Sequence, residues 1–564
     1  MRPKLLKISL FLLFLFIVLS LSYHQIVRGN YYYDRSLKNC IRILPMNGKR
    51  GNILDRNQNT LAKDQISFDL CISPTELNER KYIFRTLAQI LKTDDEKLEL
   101  LYKSRYTHSF YPVTIAGDLD IKTLIAIEEK RIFLPGVSIE RNYKRIYPHR
   151  NEFCHITGYL GAINKQNLIR LKDYGYKIRD MIGYSGIEEY FDIELRAKEG
   201  GNLVEVDSQG RIRRILGFKE SINGKDIELT IDSELQKICY EALQGQKGVV
   251  IFMNPNNGEI LALISQPDFN PNVFVDEKNT RERNRLLNDK KNSPFLNRVI
   301  CGLYPLGSVF KLVVAAAVLE EGLISSQKRF FCKGQLLIGD RDFKCWSEHF
   351  DENLIEAIVH SCNSYFFQLG LLIGPKLMLK YALKLGLGRK TGIEFVSESK
   401  GFIPSLILKR WFLGDTANLS IGQGELLATP LQALSLISIF ANGGKLVIPH
   451  ILKSVYQQMM KDYTLQSVAL GDRTVSVIRQ ALLKSVEYPS GTAHRLKMRG
   501  ISVAGKTGTA QVSTGKAHGW FVGFSPFKEP KYSFCVFLEN CGSSQYAVVK
   551  TKEILKKMKE KGLL

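Results

Sequence analysis

The sequence predicts an α+β protein held to a membrane by one helix, with a C-terminal half that reads as an α+β or α/β layer domain. Three observations carry this prediction. An uncharged, mostly apolar run of 20 residues extends from Ile8 to Val27. Period-two stretches, the mark of strands, occur at both ends of the C-terminal half with apolar helical runs between them. The character of the chain also shifts near Asp226, from tyrosine-rich and irregular to strongly patterned.

The first run is long enough to cross a hydrocarbon core, which takes about 20 helical residues. Arg2, Lys4 and Lys7 precede it, so the positive-inside rule predicts a cytoplasmic N-terminus. A cleaved signal peptide needs small residues after the run, but Ser22-Tyr23-His24-Gln25 follows. The expected organisation is a tail at 1–7, an anchor at 8–27, a first large region at 28–215 and a second at 216–564. About 535 residues then lie beyond the anchor, enough for several units at roughly 150 residues each.

Composition excludes other classes. Hydrophobic residues make up 45% and charged residues 24%, which rules out a disordered or collagen-like chain. The excess of 79 Lys+Arg over 56 Asp+Glu gives +23 and suits anionic lipid or an acidic polymer. Zinc-finger spacing, RNA-binding aromatic signatures and basic leucine-zipper regions are all missing from the sequence, so no nucleic-acid partner is expected. Ten cysteines in 564 residues are too sparse for a disulfide scaffold.

In the first region, Lys81 to Leu91 and Ile121 to Lys130 read as helices, and Ser67 to Ile72 and Asn202 to Val206 as strands. Ile227 to Ile231 alternates like a strand, and Asp232 caps a helix running to Leu243. Lys247 to Phe252 and Glu259 to Ile264 flank Asn254-Pro255-Asn256-Asn257-Gly258, which has hairpin-turn chemistry. Apolar helices are expected at Ser308 to Glu321 and Glu352 to Leu369, then at Pro375 to Leu385 and Leu431 to Ala441. Trp520 to Phe524 and Tyr532 to Leu538 complete the strands, and Val548 to Lys561 is a basic helix. Its lysines suit a solvated face, or alternatively lipid headgroups.

Order and context single out one chemical constellation. Ser-x-x-Lys occurs at Ser308, Ser325, Ser397, Ser513 and Ser525, but only Ser308-Val309-Phe310-Lys311 opens a long apolar helix. Helical spacing puts Lys311 one turn from Ser308. Burial in that helix lowers the lysine's pKa and suits it to act as a base. The bland alternative is an N-cap serine with a snorkelling lysine. Ser-x-Asn occurs at Ser221 and at Ser361-Cys362-Asn363, the second of these 53 residues after Ser308 and within the expected second helix. Lys-Thr-Gly occurs at Lys390, past a helix end, and at Lys506-Thr507-Gly508-Thr509 in a β-type setting. Gly508 would let a substrate backbone come close.

Ser-x-x-Lys, Ser-x-Asn and Lys-Thr-Gly in this order are the motifs of penicillin-binding proteins and serine β-lactamases. Nearly the whole chain resembles the class B penicillin-binding proteins. Arg50-Gly51-Asn52-Ile53-Leu54-Asp55-Arg56-Asn57 with Leu61-Ala62 resembles the first motif of their dimerisation-type pedestal, and Gly186-Ile187-Glu188 through Tyr190 the second. Pro294 to Lys311 resembles the family's approach to its serine, with Leu306 where a second proline is usual. Ser420 to Glu425, Ala428 to Gln432 and His518 to Phe524 resemble the elongation type. The resemblance implies a non-catalytic pedestal at 28–215 and, at 216–564, the penicillin-binding, β-lactamase-like transpeptidase domain, a sheet with helices on both sides.

The resemblance implies a peptidoglycan D,D-transpeptidase, with D,D-carboxypeptidase as a side activity, acting during wall elongation and targeted by β-lactams. Ser308 would attack the penultimate D-alanine carbonyl of a stem peptide ending in D-Ala-D-Ala, with Lys311 taking its proton. Ser361 and Lys506 would relay protons and lower the Lys311 pKa, and Asn363 would hold a substrate carbonyl. The N–H groups of Ser308 and Thr509 would form an oxyanion hole, while Thr507 and Thr509 hold the terminal carboxylate. Implied partners are a membrane glycosyltransferase of the shape, elongation, division and sporulation type and other elongation-complex proteins. The implied location is the inner membrane, single-pass, with a periplasmic catalytic domain. Alternatives in view are a division-type relative, a β-lactam sensor or β-lactamase, and a non-catalytic scaffold.

No cofactor is required for this chemistry. Cys332, Cys345, His349 and Cys362, spaced Cys-x12-Cys-x3-His-x12-Cys, are nevertheless a plausible Cys3His structural zinc set. Some elongation-type relatives carry zinc at corresponding positions, although the spacing before His349 is shorter here. A Cys332–Cys345 disulfide, or unrelated small core residues, are the other readings. His360 is expected to be an ordinary helix residue.

Overall fold

The computed structural model describes residues 2–564 apart from 78, 107–111, 179, 208–211, 277–278, 408–409, 456–457, 460–465, 469 and 513–514. It divides into two compact units, one of residues 1–51, 64–144 and 196–224, the other of residues 52–63, 145–195 and 225–564. Residues 52–63 and 145–195 precede the expected boundary near 215 yet join the second unit.

In the first unit, the helix Arg2–Ser22 continues through Tyr23–Val27. Lys4–Val27 is 24 residues with mean hydropathy 2.5 and its apolar surface exposed. At 1.5 Å per residue it is about 36 Å long, sufficient to span a bilayer core. Ile41–Met46, Gly200–Val206 and Ile212–Lys219 form an antiparallel three-stranded sheet. A separate small core collects Leu70, Ile72, Ile83, Phe84, Leu87, Leu98, Tyr102 and Val113. It lies beneath the helices Arg80–Leu91, Asp95–Arg105 and Ile121–Glu129. Asp94 and Asp120 cap the second and third of these by accepting N–H bonds from Glu96 and Thr123, satisfying donors that a helix start leaves open.

The second unit is organised around a five-stranded antiparallel sheet. Its order is Ile260–Gln266, Gly248–Met253, Tyr532–Leu538, His518–Ser525 and Ala504–Ala510. The hairpin of Gly248–Met253 and Ile260–Gln266 and the strands His518–Ser525 and Tyr532–Leu538 appear where alternation and turn chemistry predict them. Side chains divide by the pleat. Val249, Ile251, Trp520, Val522, Cys535 and Phe537 face one core. Val250, Phe252, Phe521, Phe534 and Val536 face the other. Helices cover both faces, as expected: Lys311–Glu320, Asn363–Lys384 and Pro430–Ala441 on the first, Ser233–Leu243 and Gln545–Glu560 on the second. Each fully buried Val, Leu, Ile or Phe contributes about 1.5–3 kcal/mol relative to exposure.

Asp232 accepts from Glu234 N and Leu235 N, the predicted cap. The last helix buries Val548, Thr551, Ile554, Leu555 and Met558 and turns lysines outward, with Lys557 bonded to Glu241 and Lys550 to Glu553. Segments from the N-terminal half enter this unit through long-range pairing. Ile53 and Leu54 run parallel to Ile227 and Glu228. The Asp55 carboxylate accepts from Asn57 N, Asn59 N and Ser233 Oγ. Arg145 and Glu188 form a buried ion pair at 2.7 Å, their side chains 2% and 0% exposed.

Candidate active site

The helix carrying Lys311 does not begin as a regular α-turn at Ser308. Gly307–Val309 forms a 3₁₀ turn, and the α-helix runs from Lys311 to Glu320. Ser308 is half-buried in that turn. The turn is seated by two glycines. A Cβ on Gly307 (φ +53°) would sit 2.6 Å from Thr509 O, and one on Gly422 (φ +69°) 2.2 Å from Gly307 O. Gly307 N also donates to Gly422 O at 2.9 Å. The missing side chain at Gly508 serves this same packing, since its Cβ would lie 2.9 Å from Val309 Cγ2 and 3.0 Å from Leu306 O. Trp520 Nε1 donates to Pro305 O at 3.0 Å, fixing the approach to the turn from the sheet.

The expected helix from Glu352 to Leu369 is broken at Ser361. Leu354–Val359 ends there, and Asn363–Lys384 begins with Cys362 as its N-cap. Ser361 adopts φ +55°, a left-handed conformation that costs a non-glycine residue about 1–2 kcal/mol. Two lysines hold it. Lys311 Nζ donates to Ser361 O at 2.7 Å, to Asn363 Oδ1 at 2.7 Å and to Ser361 Oγ at 3.4 Å. Lys506 Nζ donates to Ser361 Oγ at 2.8 Å and to Thr507 O at 3.1 Å. Asn363–Lys384 breaks again at Gly374 (φ +72°), where the next helix was expected to begin.

Both lysines are fully buried. Burial lowers the Lys311 pKa to about 8, with the nearby Cys362, Cys345 and Glu352 groups opposing the shift. Lys506 is pushed well below its ordinary value, first by burial and then by repulsion from Lys311. The like-charge effect expected on Lys311 therefore falls on Lys506. Thr509 is exposed at the edge strand, with its Oγ1 donating to Ser544 Oγ at 3.1 Å. Thr507 is 4% exposed and donates to Thr492 Oγ1 at 2.9 Å. Ser544 and Thr492 were not anticipated, because neither lies in a motif or a periodic run.

The duplicate motifs have other roles. Lys390-Thr391-Gly392 is clasped by Glu398, whose carboxylate accepts from Thr391 N, Thr391 Oγ1 and Gly392 N. Ser221 belongs to the first unit, and Ser513 lies outside the described residues. Ser325 and Ser397 are in loops and Ser525 ends a strand.

Cys332, Cys345, His349 and Cys362 converge, their ligand atoms all within 4.8 Å of one another. His349 Nδ1 lies 3.6 Å from Cys332 Sγ and 3.5 Å from Cys345 Sγ. Tetrahedral zinc with ordinary Zn–S and Zn–N bonds puts S and N about 3.6 Å apart. Cys332 and Cys345 are free thiols that meet at the histidine rather than pairing. The Cys345 thiol is held far below its usual range, chiefly by the hydrogen bond from Cys362, with His349 and the Asn363 and Ser364 N–H groups adding. Cys362 is pushed up in turn. Asn363 N donates to Cys345 Sγ at 3.1 Å, which couples the cluster directly to the Ser-x-Asn motif. His360 closes the preceding helix and bonds Glu352 and Ser490.

Comparison with known proteins agrees with this geometry. Residues 248–560 match the penicillin binding protein transpeptidase domain, and residues 45–229 the penicillin-binding protein dimerisation domain. A peptidoglycan D,D-transpeptidase MrdA of Acinetobacter baumannii is 33% identical over 553 residues, covering 92% of this chain and 81% of that one. Penicillin-binding protein PBP2 of Helicobacter pylori, solved in complex with MreC, superposes with TM-score 0.83 at 28% identity over 93% of this chain and 99% of its own. A structure described as coordination of polymerization and crosslinking by a peptidoglycan synthase complex gives TM-score 0.73 at 28% identity, over 98% and 97% of the two chains. The chain belongs to the class B penicillin-binding protein family, as an elongation-type transpeptidase with a dimerisation domain.

Proposed function

We propose that Ser308 is the nucleophile of a peptidoglycan D,D-transpeptidase and that Lys311 is its base. The observation that carries this is the meeting of Lys311 and Lys506 on Ser361 at the break between two helices, with the Ser308 turn packed against the strand that carries Lys506. Lys311, lowered to about 8, has a substantial neutral fraction near neutrality and accepts the Ser308 proton as Oγ bonds to the penultimate D-alanine carbonyl carbon. The oxyanion is met by the N–H groups of Ser308 and Thr509. The proton passes through Ser361 and Lys506 to the leaving nitrogen, the peptide bond breaks and D-alanine departs. A neighbouring stem-peptide amine then attacks the acyl-serine ester, loses its proton along the same relay and restores Ser308. Asn363 orients Lys311 and the donor peptide carbonyl. Thr509 meets the terminal carboxylate first from its exposed position, and Thr507 joins it. β-Lactams acylate the same serine because their ring mimics D-Ala-D-Ala.

The four-ligand cluster fits a structural zinc. Cys332, Cys345, His349 and Cys362 would hold it, and it would supply rigidity, tying Cys345 and Cys362 on either side of the Asn363 N–H. The Lys4–Val27 helix serves as the anchor, with the N-terminus cytoplasmic and residues 216–564 catalytic on the outer side of the inner membrane. Working partners are a membrane glycosyltransferase, in line with the similar structure of a complex that coordinates polymerization and crosslinking, and elongation-complex proteins, in line with the MreC complex of the H. pylori relative.

The test is release of D-alanine and formation of cross-linked product from a pentapeptide donor and an amine acceptor, by the parent and Ser308→Ala. Both products in the parent and neither in the variant are expected. Cross-linking that survives in Ser308→Ala would overturn the assignment.

A further inference from the structure

Thr492 lies in the loop between the Asp472–Glu487 helix and the Ala504–Ala510 strand, outside all three motifs. Its polar atoms bond to the elements that carry the site. The Thr492 N–H and Oγ1–H both donate to Val359 O, at 3.2 and 3.3 Å, and Val359 ends the helix two residues before Ser361. Its carbonyl accepts from Gln545 Nε2 at 2.8 Å, at the start of the last helix. Its Oγ1 accepts the Thr507 hydroxyl at 2.9 Å.

The loop around it is firmly seated. Ala493 N donates to Ser485 O at 3.0 Å, and Gly491 N to Tyr488 O at 2.9 Å. Ala493 and Leu496 are fully buried. Ser485 Oγ donates in turn to Gly505 O at 2.5 Å, so the preceding helix is tied to the Lys-Thr-Gly strand as well. Thr492 is thus a point where the helix leading to Ser361 and the strand carrying Lys506 are joined through side-chain chemistry.

A threonine hydroxyl has one hydrogen to give, and Thr507, nearly buried, gives its hydrogen to Thr492. Thr492 therefore sets the Thr507 rotamer before any substrate arrives. We propose that Thr492 is a positioning residue of the transpeptidase. It aims the Thr507 hydroxyl at the donor peptide's terminal carboxylate and keeps the Val359 end of the helix in register with the Lys-Thr-Gly strand. This rests on the reading of Ser308 and Thr507 given above. On binding, the Thr507 hydrogen turns from Thr492 to the carboxylate, while Thr492 keeps its own hydrogen on Val359 O and its place beside Thr507.

The experiment compares Thr492→Val, which keeps the shape and removes the hydroxyl, with Thr492→Ser, which keeps the hydroxyl. Pre-acylation affinity and limiting acylation rate are measured separately with a carboxylate-bearing fluorescent penicillin, and thermal midpoints are recorded for each protein. Thr492→Val is expected to lose about tenfold in acylation efficiency, mostly as weaker pre-acylation affinity, and Thr492→Ser to stay within about twofold of the parent. Thr492→Val acylating like the parent would overturn the proposal. So would equal losses in both variants that track their thermal midpoints, since that marks a purely structural residue. A parent that is never acylated would instead overturn the Ser308 reading, and this proposal with it.

Discussion

Replacing Gly422 with alanine should move Ser308 without touching it. Gly422 has φ +69°, and an added Cβ would stand 2.2 Å from Gly307 O and 2.7 Å from Phe310 Cβ, where ordinary contact begins at 3.4 Å. The obstructing atom is backbone, so relief requires the Gly307–Val309 turn to withdraw by about 1 Å, a misplacement that can cost about 100-fold in rate. The Gly307 N to Gly422 O bond at 2.9 Å would lengthen at the same time. The left-handed backbone alone costs alanine about 1 kcal/mol, and that part must be separated from the clash. Gly443 provides the control, with φ +82° and nothing within 4 Å of its Cβ position. The assay is the time course of acylation by a fluorescent penicillin, with thermal unfolding in parallel. Gly422→Ala should acylate about 100-fold more slowly than the parent, and Gly443→Ala should lose stability but acylate normally. Gly422→Ala acylating at the parent's rate would refute the seating of Ser308 by this contact.

Three further outcomes are expected. Lys311 accepts a proton only when neutral, and burial sets its pKa at about 8, so acylation should rise roughly tenfold per pH unit below that value and level off above it; a flat profile contradicts the base assignment. Protein purified without chelator should contain about one zinc per chain, and Cys345→Ser or a strong chelator should remove it and lower the thermal midpoint; metal-free protein with an unchanged midpoint argues against the site. Glu188→Ala removes the carboxylate from a buried ion pair, since Arg145 and Glu188 are 2% and 0% exposed and 2.7 Å apart. It should cost about 3–5 kcal/mol in denaturant unfolding, and a loss below about 1 kcal/mol would show the pair to be dispensable.

What the sequence made legible was local or ordered. Asp232 before an amphipathic run, the Asn254 to Gly258 turn between two apolar stretches and the uncharged run from Ile8 each carry their signal within a few residues. The three motifs were separable from their duplicates by setting, because only Ser308 opens an apolar helix and only Lys506 sits among β-formers. The break at Ser361 was missed because Glu352 to Leu369 is apolar at helical spacing throughout. What interrupts it is the grip of Lys311 and Lys506 on Ser361, groups that are 50 and 145 residues away. Ser361-Cys362-Asn363-Ser364 does contain residues that favour helix starts, and that was the available clue. The entry of residues 52–63 and 145–195 into the catalytic unit has no local signature, since it depends on pairings such as Ile53 with Ile227. Thr492 and Gly422 likewise matter through what they touch.

The most direct test of the account is the mass and location of the adduct formed with benzylpenicillin. Intact protein should gain the mass of one penicilloyl group, proteolytic mapping should place it on Ser308, and the adduct should decay slowly. Ser308→Ala, folded to the parent's thermal midpoint, should gain nothing. An adduct mapped to any other residue, or one that persists in Ser308→Ala, would contradict the assignment of Ser308 as the nucleophile served by Lys311, Ser361 and Lys506.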